Sequence, residues 1–175
     1  MNAKSRRTEI LNRISQQQNP LSASALAKDF QVSRQVIVGD VALLRAEGHE
    51  IIATARGYII AKPSENNSFV GKVVCQHRPE ETKAELLTMV DLQVTVINVI
   101  VEHETYGEIT GGLNLAKREE VETFFQKVKK GEIKLLSELT AGIHTHTIGC
   151  RDKEHFQQVQ QALQEKGFLY EENNA

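Results

Sequence analysis

Apolar residues recur at helical spacing in three early stretches of the chain and alternate in several later ones. In SRRTEILNRISQQ, Ile10, Leu11 and Ile14 fall on one helical face. PLSASALAKDF offers Ser22 as an N-cap, then Leu26 and Phe30 four apart. VSRQVIVGDVALLRAEG offers Ser33 as the next cap, and Val36, Val41, Leu43 and Leu44 predict an amphipathic helix ending near Gly48. EIIATARGYII then predicts a hairpin of two short strands around Ala55-Arg56-Gly57.

Later the periods alternate. FVGKVVCQH predicts a strand, and PEETKAELLTMV a helix with Pro79 in its first turn. TVINVIVEH and YGEITGGLNL predict a strand and its hairpin partner. AKREEVETFFQKVKKGE predicts a helix with Val121, Phe124, Phe125 and Val128 inward. AGIHTHTIGC predicts a strand, DKEHFQQVQQALQEKG a helix capped by Asp152, and FLYEE a final short strand. The cluster of Pro, Ser and Asn in AKPSENNSF, residues 61–69, predicts a linker. The expected organisation is therefore one domain at 1–62 and another at 68–175. The fold class is α+β: three helices and a hairpin, then βαββαβ(αβ) with helices on one face of a mixed or antiparallel sheet.

Composition narrows the class. The chain has 175 residues with 40% hydrophobic content, enough for one or two ordinary cores. No apolar run approaches the roughly 20 residues of a membrane span, and no apolar signal region follows the basic start, so a cytoplasmic protein is expected. Cys75 and Cys150 lack CxxC spacing and are expected to be reduced thiols, with Cys75 in the core and thiolate ligation secondary. Residues 1–60 carry 8 Lys+Arg against 5 Asp+Glu, a net +3, on a chain whose total is −2. A basic first third suggests a polyanion as its partner.

Three helices followed by a hairpin is the winged helix-turn-helix pattern. Ser33, Arg34 and Gln35 start the third helix, where Arg can pair with guanine and Gln with adenine in the major groove. Arg56 at the hairpin tip, and Arg6 and Arg7 on the first helix, are candidate phosphate or minor-groove contacts. Solvated arginines on a small helical domain are the competing reading.

In GIHTHTI, His144 and His146 stand two apart in a strand, so their imidazoles share one face at a Cα spacing of about 7 Å. His77 closes VVCQH, and Glu81 and Glu85 lie four apart on the following helix. These residues can gather around one divalent transition metal ion, but spacing alone does not choose between the two glutamates. Two half-exposed imidazoles with hydrogen-bonded nitrogens are the alternative. His103 sits beside Tyr106 and Gly107 at a turn. His49 and His155 have ordinary contexts and receive no role.

SRQVIVGDVALLRAEGHEIIATARGY resembles the DNA-binding segment of the nicotinate-responsive NiaR repressors, and VEHETYGEITG and GIHTHTI resemble that family's three-histidine (3H) domain. The resemblance covers nearly the whole chain. It implies a metal site of His77, Glu85, His144 and His146 holding nickel or zinc. It also implies nicotinic acid as corepressor, operator DNA and a homodimeric assembly as partners, and control of NAD biosynthesis or nicotinate uptake genes. Under it, His103, with Tyr106 beside it, becomes a candidate effector contact, and Arg78 and Lys72, the cations nearest His77 in sequence, are candidate partners for an effector carboxylate. One departure is Gly39, where the family pattern predicts a polar residue. Two other functions compete: a metal-sensing repressor with no organic effector, and a metal-dependent hydrolase with Glu81 as base. The sequence shows no motif for a nucleophile, oxyanion hole or phosphate loop, so no enzyme is expected.

Overall fold

Side-chain caps set where the first helices begin. Asn2 accepts from Ser5 N to open α1 (Ala3–Gln16), Ser22 from Ala25 N to open α2 (Ala23–Phe30), and Ser33 from Val36 N to open α3 (Arg34–Ala46). The computed structural model describes residues 2–60 and 67–171, so positions 61–66 of the expected linker lie outside the described residues. Contacts divide the chain into two compact units, Met1–Lys62 and Pro63–Ala175.

In the first unit, Ile10 and Ile14 of α1, Leu26 and Ala27 of α2, and Ile37, Val41 and Leu44 of α3 form the core with Ile51 and Tyr58. Each large apolar side chain so buried contributes about 1.5–3 kcal/mol. The inward face of α3 is the 37/41/44 stripe, and this corrects the expected pattern: Val36 and Leu43 are 38% and 51% exposed. The i, i+4, i+7 spacing of Ile37, Val41 and Leu44 carries the stripe, and Val36 and Leu43 fall outside it. The α2–α3 turn is tight because Gln31 takes the left-handed conformation at φ 55°, and Val32 N reaches back to Ala27 O at 3.0 Å.

The hairpin is β1 (Ile51–Thr54) and β2 (Gly57–Ile60), paired antiparallel. Leu21 and Tyr58 exchange backbone hydrogen bonds at 3.0 and 2.8 Å, which fastens the wing to the segment before α2. Gly57, at φ +136°, is required there because a Cβ would overlap the Leu21 carbonyl.

The second unit has one four-stranded sheet in the order β3-β6-β4-β5, with β3 Phe69–Gln76, β4 Thr95–His103, β5 Gly107–Leu115 and β6 Ile143–Cys150. Every neighbouring pair is antiparallel. α4 (Thr82–Asp91), α5 (Arg118–Lys129) and α6 (Lys153–Glu165) supply the helices. Alternation on β3 is clear: Val73 and Cys75 are buried, whereas Val70, Lys72, Val74 and Gln76 are exposed. Val73 lies opposite His146 and Cys75 opposite His144, so the β6 histidines share the buried face.

Three expectations are adjusted. Residues Pro79–Glu81 form a 3-10 turn before α4 rather than its first α turn. A second 3-10 turn, Leu136–Leu139, precedes β6 and was not read from the sequence. The final strand reduces to a bridge: Gln76 N donates to Phe168 O and Tyr170 N to Val74 O, both at 2.9 Å, with Cys75 opposite Leu169. Among the described residues, no helix is long and apolar enough to cross a membrane.

Candidate metal centre and DNA-reading surface

The apolar stripe of α4 runs through Leu86, Met89 and Val90, and Glu85 occupies a position on it where another Leu would serve packing better. Its carboxylate is completely buried. His77, one residue beyond β3, places Nε2 2.7 Å from Glu85 Oε2. His144 Nε2 lies 3.0 Å from Oε1, and His146 Nε2 3.3 Å from the same oxygen. His144 and His146 are each 2% exposed. Side chains distant along the chain thus converge on one carboxylate: His77, Glu85, His144 and His146.

The opposite ring nitrogens explain what the cluster wants. His77 Nδ1 donates to Arg78 O at 2.9 Å, His144 Nδ1 to Gly142 O at 2.8 Å, and His146 Nδ1 to Asn98 O at 2.8 Å. A carbonyl only accepts, so each Nδ1 carries a proton, and a ring that holds no second proton turns a bare Nε2 lone pair inward. Three lone pairs then face a carboxylate that also only accepts. His146 Nε2 is buried without a hydrogen-bond partner. Protons could relieve the conflict, but three imidazolium ions in one buried space repel one another. One cation relieves it without that repulsion, and backbone carbonyls are the usual outer partners of metal-binding histidines. The residues present fit a divalent metal.

Electrostatics follow the same geometry. Burial pushes the Glu85 carboxyl up, but His146, His144 and His77 outweigh it and hold it well below the usual carboxylate range. Burial pulls His77 and His146 down, and Glu85 outweighs that, so both are raised. Burial foremost, and then the Glu85 charge, push the Cys75 thiol far up.

Two residues that sequence reasoning missed orient the set. Gly142, at φ +84°, packs where a Cβ would overlap His77 O, and its own carbonyl holds His144. Asn98 holds His146 by its carbonyl and accepts from Thr147 N through Oδ1 at 3.2 Å. The signal for Asn98 was a polar residue inside an apolar β-branched run; Gly142 carried none beyond its position before GIHTHTI.

The geometry separates the glutamates. Glu81 caps Arg78 N at 2.9 Å and is 39% exposed in its side chain, whereas Glu85 enters the cluster. The 3-10 turn has three residues per turn, which rotates Glu81 off the face that Glu85 shares. The candidate effector residues scatter. Arg78 and His77 line a cleft of about 540 Å³ with Gln76, Glu81, Glu138 and Gly142. Lys72 is exposed, opposite Thr147 on β3's other face. His103 ends β4, accepts from Thr105 N and Tyr106 N, and stacks 5.2 Å from Tyr106, which is 76% exposed. His155 is a core histidine, accepting from Arg151 N and donating to Leu92 O at 2.7 Å.

In the first unit, Ser33, Arg34 and Gln35 stand exposed at the start of α3, as a reading helix requires. Arg56 lies in the hairpin turn, its backbone N held by Thr54 Oγ1 at 3.2 Å. Arg6 is engaged elsewhere: its guanidinium grips buried Asp40 of α3 at 2.6 and 3.3 Å. Arg7 lies 3.9 Å from both Asp40 and Glu47. Arg6 thus ties α1 to α3, and its expected place at a DNA backbone is taken by an internal role.

Comparison with known proteins matches both units. Residues 6–59 match the HTH domain and residues 70–172 the 3H domain. Transcription repressor NadR of Bacillus subtilis (strain 168) is 39% identical over 166 residues, covering 94% of this chain and 92% of the relative. The probable transcription repressor NiaR of Thermotoga maritima is 40% identical over 164 residues, covering 93% and 92%. The chain belongs to the NadR/NiaR family of transcription repressors. The family's DNA-binding module is thus the unit that exposes Arg34 and Gln35, and its 3H domain is the unit that buries the histidines.

Proposed function

We propose that this NadR/NiaR-type repressor binds operator DNA as a homodimer through α3, under control of nicotinic acid and a metal ion held by His77, Glu85, His144 and His146. The targets follow from the family: genes of NAD biosynthesis or nicotinate uptake. The observation that carries the metal is the convergence of three Nε2 lone pairs on one buried carboxylate, each ring fixed by a backbone carbonyl. A bound nickel or zinc ion would neutralise that carboxylate and attract a pyridine nitrogen or carboxylate oxygen.

The chain's own residues do the rest. The carbonyls of Gly142 and Asn98 hold two rings in register, and that of Arg78 holds the third. Arg78, on the cleft beside His77, supplies the cation nearest that mouth for an anionic effector. At the other unit, Arg34 and Gln35 read base edges while Ser33 and the α3 N-terminus meet a phosphate. Control requires that nicotinate bind the DNA-competent arrangement more tightly than the incompetent one. An enzyme is disfavoured because Glu81, the candidate base, caps Arg78 instead of facing the cluster.

Titrating nicotinate and a chelator in one DNA-binding assay at fixed salt tests the reading. Tight binding is expected only with both metal and nicotinate. DNA affinity unchanged by nicotinate would remove the effector, and a response to chelation alone would favour a metal sensor.

A further inference from the structure

We infer that Cys75 is a fifth ligand of the ion, so that the centre binds its metal through sulfur as well as nitrogen and oxygen. The inference rests on the metal reading above and specifies its donor set.

Position carries it first. Cys75 sits on β3 directly opposite His144, and the same alternation that turns Val73 inward turns Cys75 toward α4. Its Sγ, one Glu85 oxygen and one His144 nitrogen all lie within 4.8 Å of one another. Cys75 and Glu85 are both completely buried. The sulfur therefore borders Glu85 and His144, and His146 Nε2 reaches the same carboxylate at 3.3 Å.

Charge carries it second. A divalent cation with three neutral imidazoles and one carboxylate leaves a net +1 among buried groups. A thiolate in the same set brings the sum to zero, and buried charge is tolerated when it is compensated in place. On binding, the S–H bond breaks, the proton leaves to solvent, and a sulfur lone pair forms the bond to the ion. No electron is transferred. A thiolate also sets the class of ion: soft or borderline ions such as zinc, cobalt or nickel rather than magnesium or manganese.

Cys150 is the internal control. It is also buried, but it lies four residues beyond His146 on β6, about 13 Å along the strand, opposite Phe69.

The experiment loads metal-free, untagged, full-length protein with cobalt(II) and records its absorption, then loads zinc and records X-ray absorption. The expected result is a sulfur-to-cobalt charge-transfer band in the near ultraviolet, present in wild type and in Cys150→Ser and absent in Cys75→Ser and Cys75→Ala. Wild-type zinc protein is expected to show one sulfur neighbour at about 2.3 Å. Zinc affinity by chelator competition is expected to fall about tenfold or more in Cys75→Ser. The wild-type spectrum stands even if the variants fail to fold. One ion bound per chain with no charge-transfer band and no sulfur neighbour overturns the inference and leaves the metal reading intact. Wild-type protein that binds neither zinc nor cobalt overturns both.

Discussion

The two units treat buried charge in opposite ways. In the first, the buried charge among the described residues is Asp40, which has a guanidinium partner at 2.6 Å, and Arg34 and Gln35 stand exposed at the start of α3. In the second, Glu85, His144 and His146 are the least exposed polar groups among the described residues, and two Nε2 atoms converge on one carboxylate oxygen at 3.0 and 3.3 Å. A unit that reads a large polyanion needs only a stiff core and polar residues at one helix start. A unit that senses a small species places costly groups where water is excluded, and lets the ligand compensate them. On the function proposed, stability lies in the apolar stripes of both units and response in the cluster of the second.

The sharpest way to break this contrast is Glu85→Gln. It removes the charge and leaves the shape. Metal content is expected to fall from one ion per chain to none, with folding retained because the amide keeps the shape and can donate an N–H to an imidazole nitrogen. The metal-dependent gain in stability should disappear, about 2.7 kcal/mol when free metal is a hundredfold over Kd. Metal analysis and thermal melting check both. A Glu85→Gln protein that keeps its ion would move the site away from this cluster.

Arg34→Ala tests the other unit. DNA affinity is expected to drop by about 1–3 kcal/mol at one operator position, with metal content unchanged. Binding to operators substituted base by base gives the readout. A uniform loss across all sequences would make Arg34 a phosphate contact instead.

Metal-free protein sharpens the comparison through pH. His77 and His146 are raised above their ordinary 6.5, so their contribution to stability is complete below 6.5 and fades as pH rises through the folded values. Glu85 is depressed below 4.5, so its contribution is present above 4.5 and fades as pH falls through the folded value. Stripped protein should therefore be most stable between the two and weaken above 6.5. Loaded protein should gain on it over that rise, because protons compete with the ion for Nε2. Melting both forms across this range checks it, and parallel curves would contradict it.

The smallest expected effect is Gly39→Ala. Gly39 lies on the exposed side of α3, and a Cβ there meets nothing within 4 Å. The change should stabilise the first unit by about 1 kcal/mol, read as a rise in its melting temperature, and leave nicotinate binding untouched.

Much of this architecture is legible in the amino-acid sequence. Capping serines place α2 and α3, and the β-branched run TVINVIVEH places the strand Thr95–His103 to the residue. Where the reading slips, a competing local force is responsible. Val36 and Leu43 are apolar yet exposed, because 3.6-residue periodicity admits two overlapping stripes and packing selects one. Arg6 reads as a solvent cation until Asp40, 34 residues away, is folded against it. The histidine–carboxylate cluster is legible in residue types, but the choice of Glu85 over Glu81 needs the 3-10 turn. The carbonyls of Gly142 and Asn98 are invisible in sequence, since every residue carries one and only the fold aims it.

The most direct test is equilibrium binding of nicotinic acid to metal-loaded and metal-stripped protein. The account predicts saturable binding at one site per chain when loaded, and its loss when the ion is removed or when His144→Ala is introduced. Equal affinity for the two forms would contradict it, because the buried histidines and Glu85 would then have no part in sensing.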